Sequence, residues 1–453
     1  MEQTKQWVSQ INIPVYFIVM FFAISSWIDI NGLWVEVPLL INDLPEGWNI
    51  PSYLVIIIQV ANIGPLCYTV ANRVWPHRVK EWPVVYAIIC IGGASCIFMT
   101  FFWQVTTVVG GQLHSTVLFI LTTCLSVVDC TSSVVYLPYM AGFKPQYMTA
   151  FYIGEGLSWL IPGLVGLVQG VSNEGKCVNV SIPIYNASTG ENYTIYEQQL
   201  VTDPPLFSVE VFFYFLFAML ILSAVCFTLL HFTSFCRHER IDTNHLQLAD
   251  QSEHPQNPSF ASKPERMLSR DYDGIDFSKR HLTNFEFSLL LLLCAWVNGL
   301  TSGVIPSTQS YTCLPYGNRA YNLAVRLSTL VNPLGCFVAL FAAANSVVVI
   351  SSLTGVASGM AAVQLYLAST SPSPPLQGEP SGEVMVILLS VVFSFCISYI
   401  KVVIATTVLA SGGRRGLLWV GVVTQVGSLI AAIITFVCVS VVGVFTAMPP
   451  STC

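Results

Sequence analysis

Long apolar runs recur along the whole sequence and constrain its fold more than any other feature. Each run is close to the ~20 residues that an α-helix needs to cross ~30 Å of hydrocarbon. Strands of a membrane barrel would instead alternate in polarity over about 10 residues. The sequence therefore predicts an all-α polytopic membrane protein with eleven transmembrane helices in a lipid bilayer. The helices are expected at roughly 14–41, 51–73, 82–103, 113–140, 147–171, 206–235, 284–306, 319–344, 347–369, 383–410 and 417–446.

The composition argues against the common soluble classes. Of the 453 residues, 54% are hydrophobic and 9% charged, whereas a soluble domain carries about 25% charged residues. The sequence has no basic stripe with interleaved aromatic residues, so no nucleic acid is expected as a partner. Its 14 cysteines show no zinc-ligand spacing, so no metal is expected either. Because there is no P-loop, G-x-S-x-G elbow or H-E-x-x-H motif, the protein is not expected to be an enzyme.

The positions of lysine and arginine predict the orientation. With the N-terminus in the cytosol, 14 of the 18 basic residues fall on the inner side, as membrane proteins prefer. The odd number of crossings then places the C-terminus outside. Three glycosylation sequons agree, because Asn179, Asn186 and Asn192 all lie in the 172–205 connection, which this topology places outside.

Composition also divides the chain into two helical domains. The stretch 236–283 is rich in Ser, Pro, Asp, Glu and His, which predicts a disordered cytosolic linker. Residues 1–235 would form a six-helix bundle with the glycosylated 172–205 loop, and 284–453 a five-helix bundle with an outer tail.

An internal repeat relates the first and seventh segments. Each contains a tryptophan followed by Asn-Gly, and then a Leu-Pro-x-Gly turn. Eighteen residues after the leucine of each turn (44 to 62, and 314 to 332) comes an intramembrane asparagine. Such a parallel repeat predicts a major-facilitator-like arrangement of six plus five helices. The matched residues are Trp27, Asn31 and Asn62 in the first copy and Trp296, Asn298 and Asn332 in the second.

Polar side chains inside the apolar segments are candidates for function, because each is costly unless it faces a partner or water. Each of these polar residues can also be explained by a structural role. Asn62 and Asn332 lie next to prolines and would satisfy backbone groups that a kink frees. Glu155 would pair with Lys401 as a bridge between the bundles, and Glu36 would reach water near the outer end.

Contiguous sequence blocks then carry a resemblance to a known family. They include Asn31-Gly-Leu-Trp-Val-Glu36, Gln59-Val-Ala-Asn62-Ile-Gly-Pro65, Val128-Asp-Cys-Thr-Ser-Ser133, Gly154-Glu-Gly-Leu-Ser158, Cys313-Leu-Pro-Tyr-Gly317, Tyr399-Ile-Lys-Val402 and Gln425-Val-Gly-Ser-Leu429. These blocks run from the first segment to the last and resemble the vertebrate riboflavin transporters, solute carrier family 52. Within that family, the third, epithelial member is the most similar.

The resemblance implies sodium-independent uptake of riboflavin across the plasma membrane by alternating access, favoured by acidic outside pH. Riboflavin is then the substrate, and no cofactor is implied. The resemblance also implies a disulfide between Cys313 and Cys453, whereas the residues alone leave the pairing of Cys177, Cys313 and Cys453 open. Arg319 and Arg326 depart from the family pattern, so neither takes a substrate role from the resemblance.

The chemistry of riboflavin fits the polar residues. A flat, neutral ring system with a hydroxylated tail needs aromatic faces, amides and hydroxyls rather than a charged clamp. Stimulation by acid would need a buried carboxylate that exchanges a proton, and Glu36, Asp129 and Glu155 are the candidates. The predicted substrate-binding residues are Trp27, Asn31, Trp34, Gln59, Asn62, Asp129, Thr131 and Tyr399.

Two other functions stay open from the sequence. A transporter of another neutral heterocycle, such as a nucleoside, would need similar side chains. A membrane receptor would instead use the glycosylated outer loops and would tolerate changes at Asn31 or Asp129.

Overall fold

A computed structural model describes most of the chain. The described residues are 12–75, 78–140, 142–144, 146–170, 176–185, 192–201, 204–240, 282–341 and 346–448.

Within these residues, ten helices are long and apolar enough to cross a membrane, and a bent pair of shorter helices makes an eleventh span. The prediction of an eleven-helix polytopic protein is therefore confirmed. The spans are α1 (Ile13–Ser26 and Ile28–Asp43), α2 (Gly47–Val74), α3 (Glu81–Phe102), α4 (Thr116–Met140), α5 (Tyr147–Gln169), α6 (Val209–Phe232), α7 (Asn284–Tyr316), α8 (Asn318–Ala339), α9 (Val347–Ser369), α10 (Pro380–Leu409) and α11 (Trp419–Val441).

At three places the spans depart from the straight, separate helices that the sequence predicts. The two parts of α1 meet at an angle of 53°. Within α2, the helices Ile50–Ala61 and Ile63–Val74 meet at Asn62. Between α10 and α11, helical hydrogen bonding continues as one element, Pro380–Phe436, where a short loop was expected. The chain nevertheless reverses there, since Gly416 lies directly against Val408.

Short strands form two hairpins between the helices. Strands β1 (Thr107–Val109) and β2 (Gln112–His114) join α3 to α4. Between α5 and α6, β3 (Lys176–Tyr185) pairs antiparallel with β4 (Asn192–Val201). Two of the three sequons lie in this second hairpin, at Asn179 and Asn192, while Asn186 lies outside the described residues. Their glycosylation stays a prediction.

The first five residues of the predicted disordered linker are folded. Arg240 donates to the Tyr139 hydroxyl over 2.7 Å, and Glu239 forms a 2.7 Å ion pair with Lys144. Cys236 is fully buried. These contacts hold the start of the linker against the turn between α4 and α5, and residues 241–281 lie outside the described part of the chain.

Because successive helices alternate in direction, the spans define two ends of the molecule. We call the end at which β3 and β4 leave the helices the hairpin end, and the end at which α6 stops and α7 begins the linker end. The distribution of basic residues predicts that the linker end faces the cytosol.

The apolar cores differ between these two ends. At the hairpin end, one continuous core contains residues from both halves of the chain, such as Leu40 and Phe213 together with Leu314 and Tyr321. At the linker end, the halves have separate cores. One, around Phe22 and Phe227, draws only on α1–α6 and the adjoining residues 143 and 236; the other, around Leu290 and Ile400, draws only on α7–α11. The bundles are therefore joined at the hairpin end and distinct at the linker end.

Candidate transport site

The break in α1 lies in the middle of the N-terminal bundle and is built from small polar residues. Trp27 leaves the helical conformation, with φ −146° and ψ 7°. Just before it, the Ser25 and Ser26 hydroxyls donate to the carbonyls of Phe22 and Ala23 over 2.9 and 2.8 Å. Such local side-chain bonds compete with the regular helical ladder and bend helices. The Ser-Ser-Trp sequence therefore accounts for the position of the break.

Two aspartates stabilise the start of the second part of α1. The Ile30 N–H, in its first turn, donates to Asp29 Oδ1 at 3.0 Å and to Asp129 Oδ2 of α4 at 3.4 Å. Carboxylates are favourable at this position because a helix N-terminus carries unpaired N–H groups and a partial positive charge. Both side chains are fully buried, and their carboxyl groups lie against each other. Asp129 is thus a cap for α1 supplied by another helix.

Hydroxyl groups continue this buried polar cluster. The Ser223 hydroxyl of α6 donates to Ser25 Oγ over 2.7 Å, and Tyr136 Oη lies 3.2 Å from the same oxygen. Ser132 donates to the Ser26 carbonyl. On the α3 side, an ideal Cβ at Gly92 would lie 3.2 Å from Asp29 Oδ2, so a larger residue there would press on the carboxylate.

In α7, a wide helical turn, Leu300–Val304, follows directly after Asn298 and Gly299. Wide turns of this kind are frequently found at functional sites. The Asn298 amide donates to the Cys294 carbonyl at 2.8 Å and to Thr424 Oγ1 of α11 at 3.3 Å. In α1, the Asn31 amide likewise donates to another helix, to the Ser158 carbonyl of α5 at 3.3 Å.

Glycine contacts follow the same repeat. Gly154 of α5 is packed against Met20 and Ala23 of α1, and Gly427 of α11 is packed against Ala295 of α7. Helices α1 and α5 therefore pair as α7 and α11 do. Similarly, Gly64 of α2 contacts α4, and Gly335 of α8 contacts α10. The repeat that the sequence predicts recurs in the helix contacts.

The eight predicted substrate-binding residues fall into two groups. Asn31 and Asp129 are buried inside the N-terminal bundle, where they join helices. The other six retain some exposure. Gln59 and Thr131 are each 8% exposed, and Trp27, Trp34, Asn62 and Tyr399 are half-buried.

The structure brings only some of these six together. Thr131 lies directly against Gly64, two residues after Asn62, so α2 and α4 present these polar groups side by side. The Asn62 amide donates to the Gln59 carbonyl over 3.3 Å, as expected for a residue that satisfies a kink. Tyr399 lies on α10 in the other bundle, packed against the C-terminal core.

A buried polar bridge joins the bundles at the hairpin end. Arg326 of α8 is fully buried, and its guanidinium donates to Gln169 Oε1 at 2.9 Å and to the Gly170 carbonyl at 2.8 Å. The Gln169 amide in turn donates to Glu36 Oε2 at 3.3 Å. Glu36 is also fully buried, so it does not reach the interfacial water expected for it. The carboxylate and guanidinium thus belong to one network through a neutral amide.

Glu155 and Lys401 lie toward the linker end, and the bridge predicted between them is not formed. In the described part of the chain, neither the Glu155 carboxylate nor the Lys401 ammonium has an ion-pair partner. Both side chains are half-buried.

Sequence reasoning missed the partners that complete these networks. Gln169 ends an apolar run just before a glycine, and that local pattern gives no sign of a polar bridge. Ser25 and Ser223 gave no signal, because serine is common wherever membrane helices pack. Arg326 was noticed as a buried charge, and its position opposite Glu36 depends on tertiary structure. Cys313 is buried at the hairpin end, while Cys453 lies outside the described residues, so their disulfide stays a prediction.

The fold resembles that of solved transporters. The inward-open xylose transporter XylE from E. coli aligns with a TM-score of 0.55 and 11% identity over 97% of this chain and 91% of its own. The POT family transporter PepTSo aligns with a TM-score of 0.54 and 10% identity over 95% and 90%. With its two bundles and repeated helix contacts, the chain has the fold of major-facilitator-type transporters.

Sequence similarity is more specific. The profile described as "Solute carrier family 52, riboflavin transporter" matches residues 11–447. "Solute carrier family 52, riboflavin transporter, member 3-A" of Danio rerio is 39% identical, over 94% of this chain and 95% of its own length. "Riboflavin transporter 2" of Salmo salar is 38% identical over 95% and 96%, and the Homo sapiens member 3 is 35% identical over 95% and 97%. The chain belongs to solute carrier family 52.

Proposed function

We propose that this protein takes up riboflavin across the plasma membrane by alternating access. The observation that carries the proposal is the match, over nearly the whole length, to relatives named as riboflavin transporters. The proposed transport is sodium-independent and favoured by acidic outside pH. In the proposed orientation the N-terminus is cytosolic and the C-terminus extracellular, in line with the distribution of lysine and arginine.

The arrangement of the two bundles supports this mechanism. They share one core at the hairpin end and have separate cores at the linker end. A carrier that opens to one side at a time needs an interface that separates at one end while it stays closed at the other. In the proposed orientation, the bundles are closed toward the outside and separate toward the cytosol.

The proposed substrate contacts are the six partly exposed residues, which are Trp27, Trp34, Gln59, Asn62, Thr131 and Tyr399. Their aromatic rings would stack on the flat ring system, and their amides and hydroxyls would bind its polar edge and tail. Asn31 and Asp129 are buried and would position α1 rather than touch the substrate.

Stimulation of uptake by acid would act through one of three carboxylates, those of Glu36, Asp129 and Glu155. Glu36 accepts a hydrogen bond from Gln169, which in turn accepts one from Arg326. Asp129 and Asp29 both accept from the Ile30 N–H, and Glu155 is a half-buried residue of α5. Uptake measured against outside pH in Glu36→Gln, Asp129→Asn and Glu155→Gln tests them. An unchanged pH profile in all three variants would exclude these carboxylates as the proton-sensitive groups.

Uptake of labelled riboflavin into expressing cells tests the function itself. We expect accumulation well above that of untransfected cells, unchanged when choline replaces sodium. Lumiflavin, which keeps the ring system, should compete, whereas uridine should not. Uptake no greater than in untransfected cells would contradict the proposal, and competition by uridine would favour a nucleoside carrier.

A further inference from the structure

The two Leu-Pro-x-Gly turns of the repeat, both at the hairpin end, share a backbone hydrogen bond. In the first turn the Gly47 N–H donates to the Leu44 carbonyl at 3.0 Å, and in the second the Gly317 N–H donates to the Leu314 carbonyl at 2.9 Å. Both glycines have positive φ, 51° and 110°, which residues with a side chain rarely adopt. The turns therefore match in backbone and differ in their third residue.

The third residue of the first turn, Glu46, binds the residues that precede α4. Its side chain is only 3% exposed, and Oε1 accepts from the Ser115 N–H at 2.7 Å while Oε2 accepts from the Ser115 hydroxyl. Nδ1 of His114 lies 3.2 Å from Oε1. Hydrogen bonds to a carboxylate are stronger than those between neutral groups. Glu46 therefore fixes the first turn to its own bundle.

The second turn is fixed at the matching place by a neutral group. Its third residue is Tyr316, whose hydroxyl donates to the Pro375 carbonyl at 2.7 Å. Pro375 lies in the connection that leads into α10, just as Ser115 lies in the connection that leads into α4. Since α4 and α10 are equivalent in the repeat, the two turns differ in the charge of their third residue and not in where it binds.

The residues that follow the first turn contact the other bundle. The Trp48 carbonyl accepts from the Ser310 hydroxyl of α7 at 2.7 Å, and Asn49 Oδ1 accepts from the Tyr311 hydroxyl at 2.7 Å. The rings of Trp48 and Tyr311 also meet edge to face, with 5.6 Å between their centroids. Because Glu46 lies two and three residues before these groups, its hydrogen bonds determine where they lie relative to α7.

We propose that Glu46 is a positioning residue for closure of the hairpin end and that His114 strengthens its hold in acid, an inference that rests on the proposed alternating access. When the hairpin end opens, Trp48 and Asn49 separate from α7 while Glu46 keeps the turn in place. A turn that is already held loses less conformational freedom when the bundles close again. Glu46 thereby favours the closed state without contacting the other bundle itself.

The charge of His114 supplies the dependence on pH. Histidine is the side chain that ordinarily changes charge between pH 5 and 8. The groups that the described contacts place around His114 are the Glu46 carboxylate, the Tyr53 ring at 6.3 Å between centroids, the strand partner Thr107 and the following Ser115. Of these, only the carboxylate is charged in this pH range. Attraction between a protonated His114 and Glu46 is therefore present in acid and is lost as the pH rises.

A thiol at position 52 reports whether the hairpin end is closed. Ser52 of α2 is fully buried, and its hydroxyl oxygen lies 2.6 Å from that of Ser440 on α11 of the other bundle. Purified full-length Ser52→Cys protein is treated with N-ethylmaleimide, and labelling at position 52 is quantified by peptide mass spectrometry. The measured quantity is the labelling rate in a further variant divided by that in Ser52→Cys alone at the same pH, which cancels the pH dependence of thiol reactivity.

Loosening the first turn should raise this ratio. We expect about a fivefold rise in Glu46→Gln, because the turn must then be ordered each time the bundles close. Ser115→Ala removes one of the two donors and should raise the ratio about twofold, and it decides the matter if Glu46→Gln does not fold. The matched control is Arg319→Gln, since the exposed Arg319 pairs with Glu383 at 3.6 Å within the C-terminal bundle. An unchanged ratio in both Glu46→Gln and Ser115→Ala, or an equal rise in the control, would overturn the positioning role.

The role of His114 is tested by comparing two pH values. His114→Gln should leave the ratio unchanged at about pH 8 and raise it about twofold at about pH 5.5, where the native histidine is charged. In the Glu46→Gln background this difference between the two pH values should disappear. Tyr316→Phe, which removes the neutral contact of the second turn, should raise the ratio by the same factor at both pH values. An equal effect of His114→Gln at both pH values would overturn the role of its charge. Riboflavin is absent throughout, so a failure here is separate from a failure of uptake.

Discussion

Helices α1 and α7 are each irregular near the repeated Asn-Gly pair, with the break before Asn31 in α1 and the wide turn after Asn298 in α7, and the surroundings of the two differ chemically. Around the break in α1 lie two buried carboxyl groups, of Asp29 and Asp129, and a chain of hydroxyls. Around the wide turn in α7, the Asn298 amide is held by a backbone carbonyl and the neutral Thr424 hydroxyl. The helix contacts repeat because glycines and asparagines recur at matched positions. The side chains around the two irregular turns differ, with carboxyl groups in α1 and neutral groups in α7.

This difference predicts that the two halves respond unequally to loss of a polar group. A buried carboxylate without its hydrogen-bond partners costs more folding free energy than a buried neutral amide without its partners, because taking a charge out of water is expensive. Changes to the shared glycine contacts should instead affect both halves equally.

The largest effect is expected from the glycines that both copies share. Gly154→Ala and Gly427→Ala would each press a methyl group onto the backbone of the facing helix, at Met20 and Ala295. Overpacking costs about 1–3 kcal/mol or more. Both variants should lower the melting temperature in detergent by several degrees, measured by size-exclusion chromatography after heating.

Matched controls are Gly156→Ala and Gly421→Ala, which have nothing within 4 Å of the added carbon. Because alanine is the better helix former, they should be neutral or stabilising by up to about 1 kcal/mol. Loss of stability in only one of the two packed variants would contradict the equivalence of the helix pairs.

The second effect separates the halves. Asp129→Ala removes an acceptor from the Ile30 N–H and leaves the buried Asp29 without its neighbour, so it should cost about 1–3 kcal/mol. Thr424→Val removes one neutral contact and should cost about 0.6 kcal/mol, the average for hydrogen bonds between membrane helices. Thermal unfolding measures both, and Asp129→Asn, which keeps an acceptor oxygen, should recover most of the loss. Equal losses of stability in Asp129→Ala and Thr424→Val would contradict the predicted difference between the two halves.

Much of this fold could be predicted from the sequence because its signals are local. Apolar runs located the eleven spans, and matched spacings paired the first helix with the seventh. The bend at Trp27 was not predicted, because serines such as Ser25 and Ser26 are common in membrane helices and do not by themselves indicate a break. Continued helical bonding between α10 and α11 was also missed, since Gly-Gly-Arg-Arg reads as a loop.

The site was less predictable, because its residues acquire their roles from distant partners. Asp129 was identified as a buried carboxylate, but only the fold places it 3.4 Å from the Ile30 N–H. Gln169 and Arg326 are 157 positions apart in the chain, and no local pattern links them. The pairing of Glu155 with Lys401, which was one structural interpretation of these residues, rested on opposite charge alone, and the structure does not form it.

A smaller effect is expected at the two asparagines. Asn31→Ala loses a 3.3 Å bond to Ser158, and Asn298→Ala loses its bond to Thr424, so each should cost about 0.6 kcal/mol. Because Asn31 is buried, its loss should lower the maximal uptake rate and leave the KM for riboflavin nearly unchanged. Concentration-dependent uptake, normalised to surface protein, measures both. A several-fold rise in KM would instead make Asn31 a substrate contact.

The smallest change in stability is expected at the two tryptophans. Trp296 is 55% exposed, and its indole N–H donates to Ser358 Oγ of the same bundle at 2.9 Å. Trp296→Phe should change stability by less than about 0.5 kcal/mol and leave the KM for riboflavin unchanged. Trp27 is half-buried at the break in α1, so Trp27→Phe, which removes stacking area, should raise KM several-fold with a similarly small change in stability. If KM for riboflavin rose equally in Trp27→Phe and Trp296→Phe, both tryptophans would contact the substrate. The two copies would then differ only in how their helices pack.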